Sequence, residues 1–473
     1  MQLAKLIIPR RINVLRGVQG TFLIFILTAF SPVFGQDNSP YSRYGIGDLV
    51  PSTNILTRGM GGISAGYSDY LSINFNNPAS YASFQGVKEL KTKKLSSGRA
   101  ILDIGMNFES RKLTEPATQK TFSASNALFS YVQVGVPIKP NWGLSFGIRP
   151  ISRISYKMYN TQRLVNPNPP FNQIDSALTR FEGDGGTYLA SLGTGFSIFR
   201  REKHKMEEKL SIGVNGGYLF GEKNYSTKRT LINDTVSYEQ ANYQNKTNFG
   251  NLYFNAGIQY KLPLNEKMML TLGAYGNWGQ QMNATQDVLR ETFEYNSTLG
   301  EVRKDSVSDK RNVKGKIDLP SSFTFGFVLQ KYPVPAKEGG WLIGLDFNQQ
   351  NWDNYRFYGL KDSVRNKWEV KAGVQLNPAP KRNYWSNVAY RFGLFYGPDY
   401  IKVGEKLNQF GGSFGLGLPM TFSRQAPNQI SIINLAFEYS KRGNNDNILK
   451  ENMFKVSLGL SLSDMWFIKR KYE

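Results

Sequence analysis

The side chains that could do chemistry are few and far apart in this chain. Among its 473 residues there is one histidine, His204, and no cysteine. His204 lies in a charged segment, residues 199–209, which we predict to be a solvated turn. With no second histidine and no thiol, a histidine-dependent hydrolase or a zinc site lacks the groups that it needs. The sequence therefore predicts no catalytic residue and no metal site.

A second group of ionisable side chains lies in one long polar segment, residues 282–316. Its acidic and basic residues are interspersed: Glu291, Glu294, Arg303, Lys304, Asp305, Asp309, Lys310 and Arg311. Mixed charge of this kind is typical of a solvated loop. The glycine-rich run at residues 59–62 lacks the strand and helix that a phosphate-binding loop needs around it. We therefore expect a protein that is not an enzyme and binds no cofactor.

The net charge of +22 raises the question of a nucleic-acid partner. Four of the positive charges lie in the first 20 residues, which hold no acidic side chain, so the rest carries 22 − 4 = +18. These charges are spread over predicted loops and turns and form no single basic face, which argues against nucleic acid. Attraction to outer-membrane lipid and lipopolysaccharide, both anionic, accounts for them better.

The first residues have the organisation of a secretory leader. A basic region precedes ten apolar residues at 21–30, and small residues follow at 31–35. We expect cleavage after Gly35, so that the mature chain starts at Gln36. Ten apolar residues cover only about half of a bilayer core, which is too little for a helical anchor. The chain is therefore predicted to be exported, and the strand pattern of residues 102–462 predicts the cell outer membrane as its destination.

The body of the chain alternates apolar residues with polar residues or glycine, which is the period of half-buried strands. Leu102, Ile104, Met106 and Phe108 begin the series. Fourteen such segments are found, at residues 102–108, 128–136, 142–158, 188–198, 210–220, 252–260, 270–274, 323–329, 341–347, 368–376, 390–396, 410–418, 433–439 and 454–462. Aromatic residues make up 14% of the chain, far more than a disordered protein carries.

The connections between these strands distinguish a barrel from a soluble sandwich. Short connections, such as residues 139–141, follow the even-numbered strands. Long polar loops follow the odd-numbered ones, notably at residues 160–186, 222–248 and 282–316. This alternation is typical of barrels with tight periplasmic turns and long outer loops. The predicted fold class is all-β, a 14-stranded antiparallel transmembrane β-barrel with an N-terminal luminal plug.

Aromatic residues recur near the ends of the apolar faces, where a ring meets both lipid and water. Those expected there are Trp142, Tyr156, Tyr260, Trp341, Trp352, Trp368, Tyr396, Tyr439 and Trp466. Glycines on the opposite faces, such as Gly193, Gly195, Gly213 and Gly217, leave space in the lumen or allow strong coiling of the strands.

Residues 36–99 do not alternate, and they contain six glycines between positions 45 and 66. Their apolar and aromatic content favours an ordered plug inside the barrel over a disordered tail. We therefore divide the chain into four parts. They are a signal peptide at residues 1–35, a plug or hatch at 36–99, a barrel at 100–468 and a basic periplasmic tail at 469–473.

Short motifs in the chain resemble the FadL-like family of outer-membrane transporters. Its N-terminal hatch motif corresponds to Arg58, Gly59, Gly61, Gly62, Asn77, Pro78 and Ala79. Residues 318–327, 344–355 and 368–378 are similar to later strands of that family. The resemblance implies a plugged 14-stranded barrel that passes hydrophobic small molecules. Residues 39–49 and 466–473 resemble a Bacteroidetes-type branch, in which some members are similar to accessory barrels of protein export or barrel assembly.

Two functions therefore stay open. In the first, a hydrophobic ligand crosses the outer membrane through the barrel as the glycine-rich plug shifts. In the second, the chain is an accessory subunit of an outer-membrane protein export or barrel-assembly complex. Its long loops and its basic tail would then contact outer-membrane protein partners. Simple porin activity is disfavoured because a filled lumen blocks ion flow.

Overall fold

The computed structural model describes residues 39–88, 95–165, 173–232, 239–296, 298–334, 337–420 and 429–466. The predicted leader, cleavage site and basic tail lie outside these residues. One closed antiparallel sheet of fourteen long strands runs through the described part of the chain, so the predicted barrel is confirmed. Within the same residues, no helix has the length and apolar character needed to cross a membrane.

Barrel strands β1 to β14 follow one another along the chain and around the wall. Their bounds are Leu95–Thr114, Thr121–Lys139, Trp142–Val165, Gln173–Lys203, Met206–Ile232, Gln240–Pro263, Met268–Asn277 with Gln280–Asn296, Gly300–Leu319 with Ser322–Lys331, Gly340–Gln350, Lys367–Asn377, Ala389–Pro398, Asn408–Met420, Ile430–Arg442 and Lys450–Trp466. Short breaks at residues 278–279 and 320–321 interrupt β7 and β8. The barrel closes where β14 pairs with β1, with Leu460 opposite Ile104.

The alternation in the sequence matches the two sides of the wall. On β8, Phe325 lies on the outer face and is 59% exposed, whereas its neighbour Thr324 points inward and is 3% exposed. Apolar rings on the outside meet lipid, and polar groups on the inside meet the lumen and its contents. Short turns join the strands at one end, and exposed His204 lies in one of them, between β4 and β5.

Two of the predicted lipid-facing aromatic residues point the other way. A bulge between Pro150 and Ser152 adds one residue to β3 and reverses its alternation. Tyr156 is therefore buried on the luminal side, although Trp142 of the same strand faces lipid. Trp352 is also buried, in the mouth of the barrel. The prediction for Tyr156 and Trp352 is wrong.

A second prediction that needs correction is that of long polar loops at residues 160–186, 222–248 and 282–316. Most of the described residues in these ranges extend the strands instead. Strand β4 alone has 31 residues, about three times the roughly 9–11 that cross a bilayer. Both faces of these extensions meet water, so no apolar alternation marks them in the sequence.

The extensions of β3 to β8 form one six-stranded sheet above the barrel. Its register runs across Tyr156, Gly183, Tyr225, Asn245, Val288 and Lys310. We call this sheet the fin, and it consists of residues 156–165, 173–183, 225–232, 240–246, 286–296 and 300–313. The fin stands on one side only, because β9 to β12 have between 10 and 13 residues each.

Residues 39–84, which we call the luminal segment, lie inside the barrel. They contain the 3-10 turns Pro40–Arg43 and Pro78–Ser83, the two-residue strand Asp48–Leu49 and the helical turn Ile55–Arg58. Apolar side chains of the segment pack against inward-facing residues of β1, β2 and β13. The wall and the segment therefore share one core.

Candidate functional site

Arg58, the first residue of the hatch motif, fixes the helical turn to the wall. Asn54 caps the start of the turn through its side chain. The Arg58 guanidinium is 1% exposed and donates to Asn107 Oδ1 on β1 at 2.6 Å. It also pairs with the Glu438 carboxylate on β13. Because a buried charge is costly without a partner, this contact holds the turn in place.

The glycines of the motif let the segment lie directly on the backbone of the wall. Gly61 and Gly62 have φ of +68° and +82°, a conformation that favours glycine. A side chain on Gly61 would also meet the carbonyl oxygens of Ala372 and Leu394 at 2.8 Å. A side chain on Gly59 would meet the backbone of β12 at 2.9 Å. No larger residue fits this contact.

The Asn-Pro-Ala motif lies against the opposite part of the wall. Asn77 Nδ2 donates to a backbone carbonyl of β6 at 3.2 Å, and Ala79 is fully buried. The Pro78 carbonyl oxygen would lie 2.1 Å from a side chain on Gly195 and 2.5 Å from one on Gly213. Gly195 and Gly213, which were predicted to face the lumen, therefore leave the space that the Pro78 carbonyl occupies. The structure places the hatch residues at two separate anchors and does not gather them into one cluster.

A third anchor, an ion network near the mouth of the barrel, was missed by the sequence reasoning. Asp48 pairs with Arg111 of β1 and, at 3.2 Å, with Arg442 of β13. Glu451 of β14 pairs with both arginines at 3.3 Å. Both arginines and Glu451 are buried, so removing one partner leaves a charge uncompensated. Charged residues at the inward positions of β1 and β14 were the available signal.

Asp346 of β9 is a further anchor that the sequence did not single out. One of its carboxylate oxygens accepts from the backbone N–H groups of Ser64 at 2.6 Å and Ala65 at 2.8 Å. The only signal in the sequence was an acidic residue between the apolar residues Leu345 and Phe347. Asp346 thus holds the luminal segment at a point between Arg58 and Asn77.

An aromatic cap lies at the mouth of the barrel. It consists of the buried residues Tyr41, Ile46, Trp352, Tyr355, Val364, Tyr400, Ile401 and Leu407. The rings of Trp352 and Tyr400 are 4.3 Å apart, and the Tyr355 hydroxyl donates to the Gly45 carbonyl at 3.1 Å. The cap combines the luminal segment with the loops before β10 and β12, so it covers part of the mouth of the barrel.

Beneath the cap lies a cavity of about 290 Å³ between the luminal segment and the wall. Polar and charged side chains line part of this cavity, and several of them have partners within the protein. Arg149 donates to the Ser52 carbonyl at 2.7 Å, and Lys371 pairs with Glu369 at 3.2 Å. Apolar side chains such as Ile151, Leu219 and Phe395 line the rest.

The ladder between β2 and β3 is incomplete in the described part of the chain. Their ladder ends where Val132 faces Ile148, and above that point no described residue of β2 pairs with β3. The luminal strand Asp48–Leu49 pairs there with β3 instead. An apolar groove of about 460 Å³ lies on the outer surface at the end of the ladder, lined in part by Phe146 and Leu192.

Among the described residues, no cluster of histidine, cysteine and carboxylate side chains could hold a metal ion. Carboxylates of the predicted mixed-charge run pair with their basic neighbours on the fin. Glu291 contacts Arg303 at 3.3 Å, and Glu294 contacts Lys304 at 2.9 Å. The Glu294–Lys304 pair is exposed, whereas Glu291 is half-buried.

The chain is similar to known proteins in two comparisons. The model of the protein family described as BamG matches residues 18–473. Among solved structures, a Pseudomonas aeruginosa FadL homologue is 13% identical, with coverage of 89% of this chain and 100% of its own and a TM-score of 0.49. The CymD monoaromatic hydrocarbon channel is 11% identical, with coverage of 86% and 97% and a TM-score of 0.48. The Pseudomonas putida toluene transporter TodX is 13% identical, with coverage of 87% and 98% and a TM-score of 0.46. No curated protein matches.

Proposed function

The chain belongs to the BamG family, and we propose that it is a non-enzymatic accessory barrel in an outer-membrane complex for protein export or barrel assembly. The name of the family suggests an outer-membrane protein as partner. This is the second of the two functions that the sequence left open. Assignment to a Bacteroidetes-type branch stays a prediction.

The fin carries this proposal. It lengthens only one side of the barrel, and none of its residues lines the cavity beneath the cap. Six strands about 4.8 Å apart, on average about ten residues long at about 3.3 Å per residue, give roughly 900 Å² on one face. A partner in a standard protein interface contributes about 800 Å². The fin therefore offers the area that a stable protein contact needs.

The segment that fills the lumen supports the same function. The luminal segment is fixed by the Arg58–Glu438 pair, by the network around Asp48 and by backbone seats that tolerate only glycine. Moving the segment would separate several buried charges from their partners at once. A luminal segment that is fixed in this way suits a structural subunit better than a gated channel.

Deleting the gene in the native host tests this function. If the barrel serves export or assembly, the outer-membrane fraction of the deletion strain loses a subset of other outer-membrane proteins. Re-expression of the chain from a plasmid should restore them. An unchanged outer-membrane protein profile would contradict the proposal.

Passage of a hydrophobic small molecule is the second candidate, favoured by the incomplete ladder between β2 and β3 and the apolar groove beside it. A molecule leaving the lumen at this point would enter the lipid and avoid the aqueous side. Uptake of hydrophobic substrates by the deletion strain tests this candidate. Uptake equal to that of the wild-type strain would contradict this candidate.

A further inference from the structure

We propose that the edge of β3 at residues 157–164, which pairs with no second strand in the described part of the chain, accepts an extended strand of a partner protein by β-strand addition. This inference rests on the proposed function and names the surface that serves it. An exposed edge carries a row of unpaired backbone donors and acceptors, which can extend the sheet with a strand from another chain.

In the described part of the chain, the fin has one edge on β3 and one on β8. The two edges differ in their protection against pairing with a strand from another chain. The β8 edge, residues 300–313, carries four basic and three acidic side chains. Charges, lysine above all, are the usual protection of an exposed edge against pairing. The β3 edge, residues 157–164, has two charged side chains and contains neither proline nor glycine. One of those charges, Lys157, already pairs with Glu182 at 3.4 Å. The β3 edge is therefore left open to pairing, and the β8 edge is not.

The backbone of β3 shows which groups the edge presents. The Ser155 N–H donates to Ser42 Oγ at 3.2 Å, so the backbone groups of Ser155 point away from β4. Successive residues of a strand point to alternate sides, so the N–H and C=O groups of Lys157, Tyr159 and Thr161 share this direction. Within the described part of the chain, no residue hydrogen-bonds to them.

The same edge already accepts a strand lower down. Asp48 and Leu49 pair antiparallel with Arg153 and Ser152, and the Val50 N–H donates to the Ile151 carbonyl at 3.0 Å. A partner strand on residues 157–164 would continue this pairing upward along β3. The established contact shows that the edge has the geometry for strand addition.

The side chains on the edge indicate the chemistry of the partner segment. Tyr159 is 59% exposed and lies on the outer face, where a cross-strand aromatic or β-branched side chain can pack on its ring. Arg163 is exposed. The segment that fits is an extended stretch of a partner protein with β-branched or aromatic residues and an acidic residue opposite Arg163.

Substitutions of Thr161 in the full-length tagged chain test the edge in its native host. Thr161→Pro removes an N–H that points to the free side and leaves the β3–β4 ladder intact. Thr161→Val is the matched control, because it keeps the N–H group. After mild detergent extraction, we expect Thr161→Pro to retain at least tenfold less partner than the wild type. Thr161→Val should stay within twofold of it. Heat-modifiable gel mobility checks that each barrel is folded.

A second variant keeps the test valid if the proline variant does not fold. The double substitution Tyr159→Lys with Thr161→Lys gives the β3 edge the kind of protection that the β8 edge has, without altering the backbone. The same tenfold loss is expected. Undiminished partner on folded variants overturns the edge assignment and leaves the proposed function standing. A wild-type chain that brings down no partner overturns both. If the edge variants lose only bound lipopolysaccharide, or only a second copy of this chain, and keep the partner protein, the edge assignment is also overturned.

Discussion

Arg58 of the luminal segment and Glu438 of β13 form a buried ion pair across 380 residues of sequence. The pair joins the helical turn after Asn54 to a strand near the end of the barrel. Closure of the wall and placement of the segment therefore depend on each other. The stability of the barrel should reflect this dependence.

Replacing Arg58 with methionine should strongly destabilise the barrel. The substitution leaves the Glu438 carboxylate in a poorly solvated site without its partner, which costs about 3–5 kcal/mol. Denaturant unfolding of the purified barrel in detergent measures the effect. Adding Glu438→Gln to Arg58→Met should recover part of the loss, because the uncompensated charge is then gone. A loss below about 1 kcal/mol for the single variant would show that the pair is unimportant.

The contribution of Asp48 should depend on pH. Burial raises the pKa of Asp48, but the positive charges of Arg111, Arg442 and Lys455 more than offset this and lower the pKa to about 2. Since an unfolded aspartate titrates near about 3.9, the stabilisation is fully present above that pH and is lost as the pH falls towards 2. The shift corresponds to about 2 kcal/mol at neutral pH.

Thermal unfolding of the wild type and of Asp48→Asn, compared from pH 7 down to pH 2, checks this. The wild-type advantage should be constant from pH 7 to about pH 5 and then shrink towards pH 2. An advantage that grows on acidification would contradict the sign of the pKa shift.

Two neighbouring glycines should differ in their tolerance of alanine. Both substitutions impose a positive φ on a residue with a side chain, at a cost of about 1–2 kcal/mol. Only Gly61→Ala also places a methyl group 2.8 Å from two carbonyl oxygens of the wall, whereas the nearest atom to a Gly62 side chain is 3.5 Å away. Denaturant unfolding should show Gly61→Ala to be clearly the less stable. Equal stability of the two variants would mean that the segment does not lie tightly on β10 and β11.

The purified wild-type barrel should show no steady ion conductance in a planar bilayer. The luminal segment fills the lumen, and the aromatic cap around Trp352 and Tyr400 covers part of its mouth. Combining Asp48→Asn with Arg58→Met should produce intermittent openings, because two anchors are lost together. Steady conductance of the wild type would contradict the filled lumen.

The membrane-spanning part of the barrel could be predicted from the sequence because its two faces differ. Phe325 and Thr324 show the pattern, since lipid selects one side chain and the lumen the other. The bulge after Pro150 left no comparable signal, so Tyr156 was placed on the wrong side. The fin was predicted as loops because both of its faces meet water.

The anchors were only partly predictable. The hatch motif was found through its resemblance to a family, which located Arg58 and Asn77 but not their partners. Asp48 and Arg442 lie 394 residues apart, and no local pattern connects residues at such a distance. The closed barrel brings them together. Their pairing follows from the three-dimensional structure alone.

The most direct test of the accessory-barrel function is the composition of the particle that mild detergent extracts from the native outer membrane. Affinity purification of the tagged full-length chain, followed by native mass measurement and protein identification, gives that composition. We expect a particle heavier than the monomer that contains at least one other outer-membrane protein in fixed stoichiometry. A free monomer, or a monomer that carries only lipid, would contradict it.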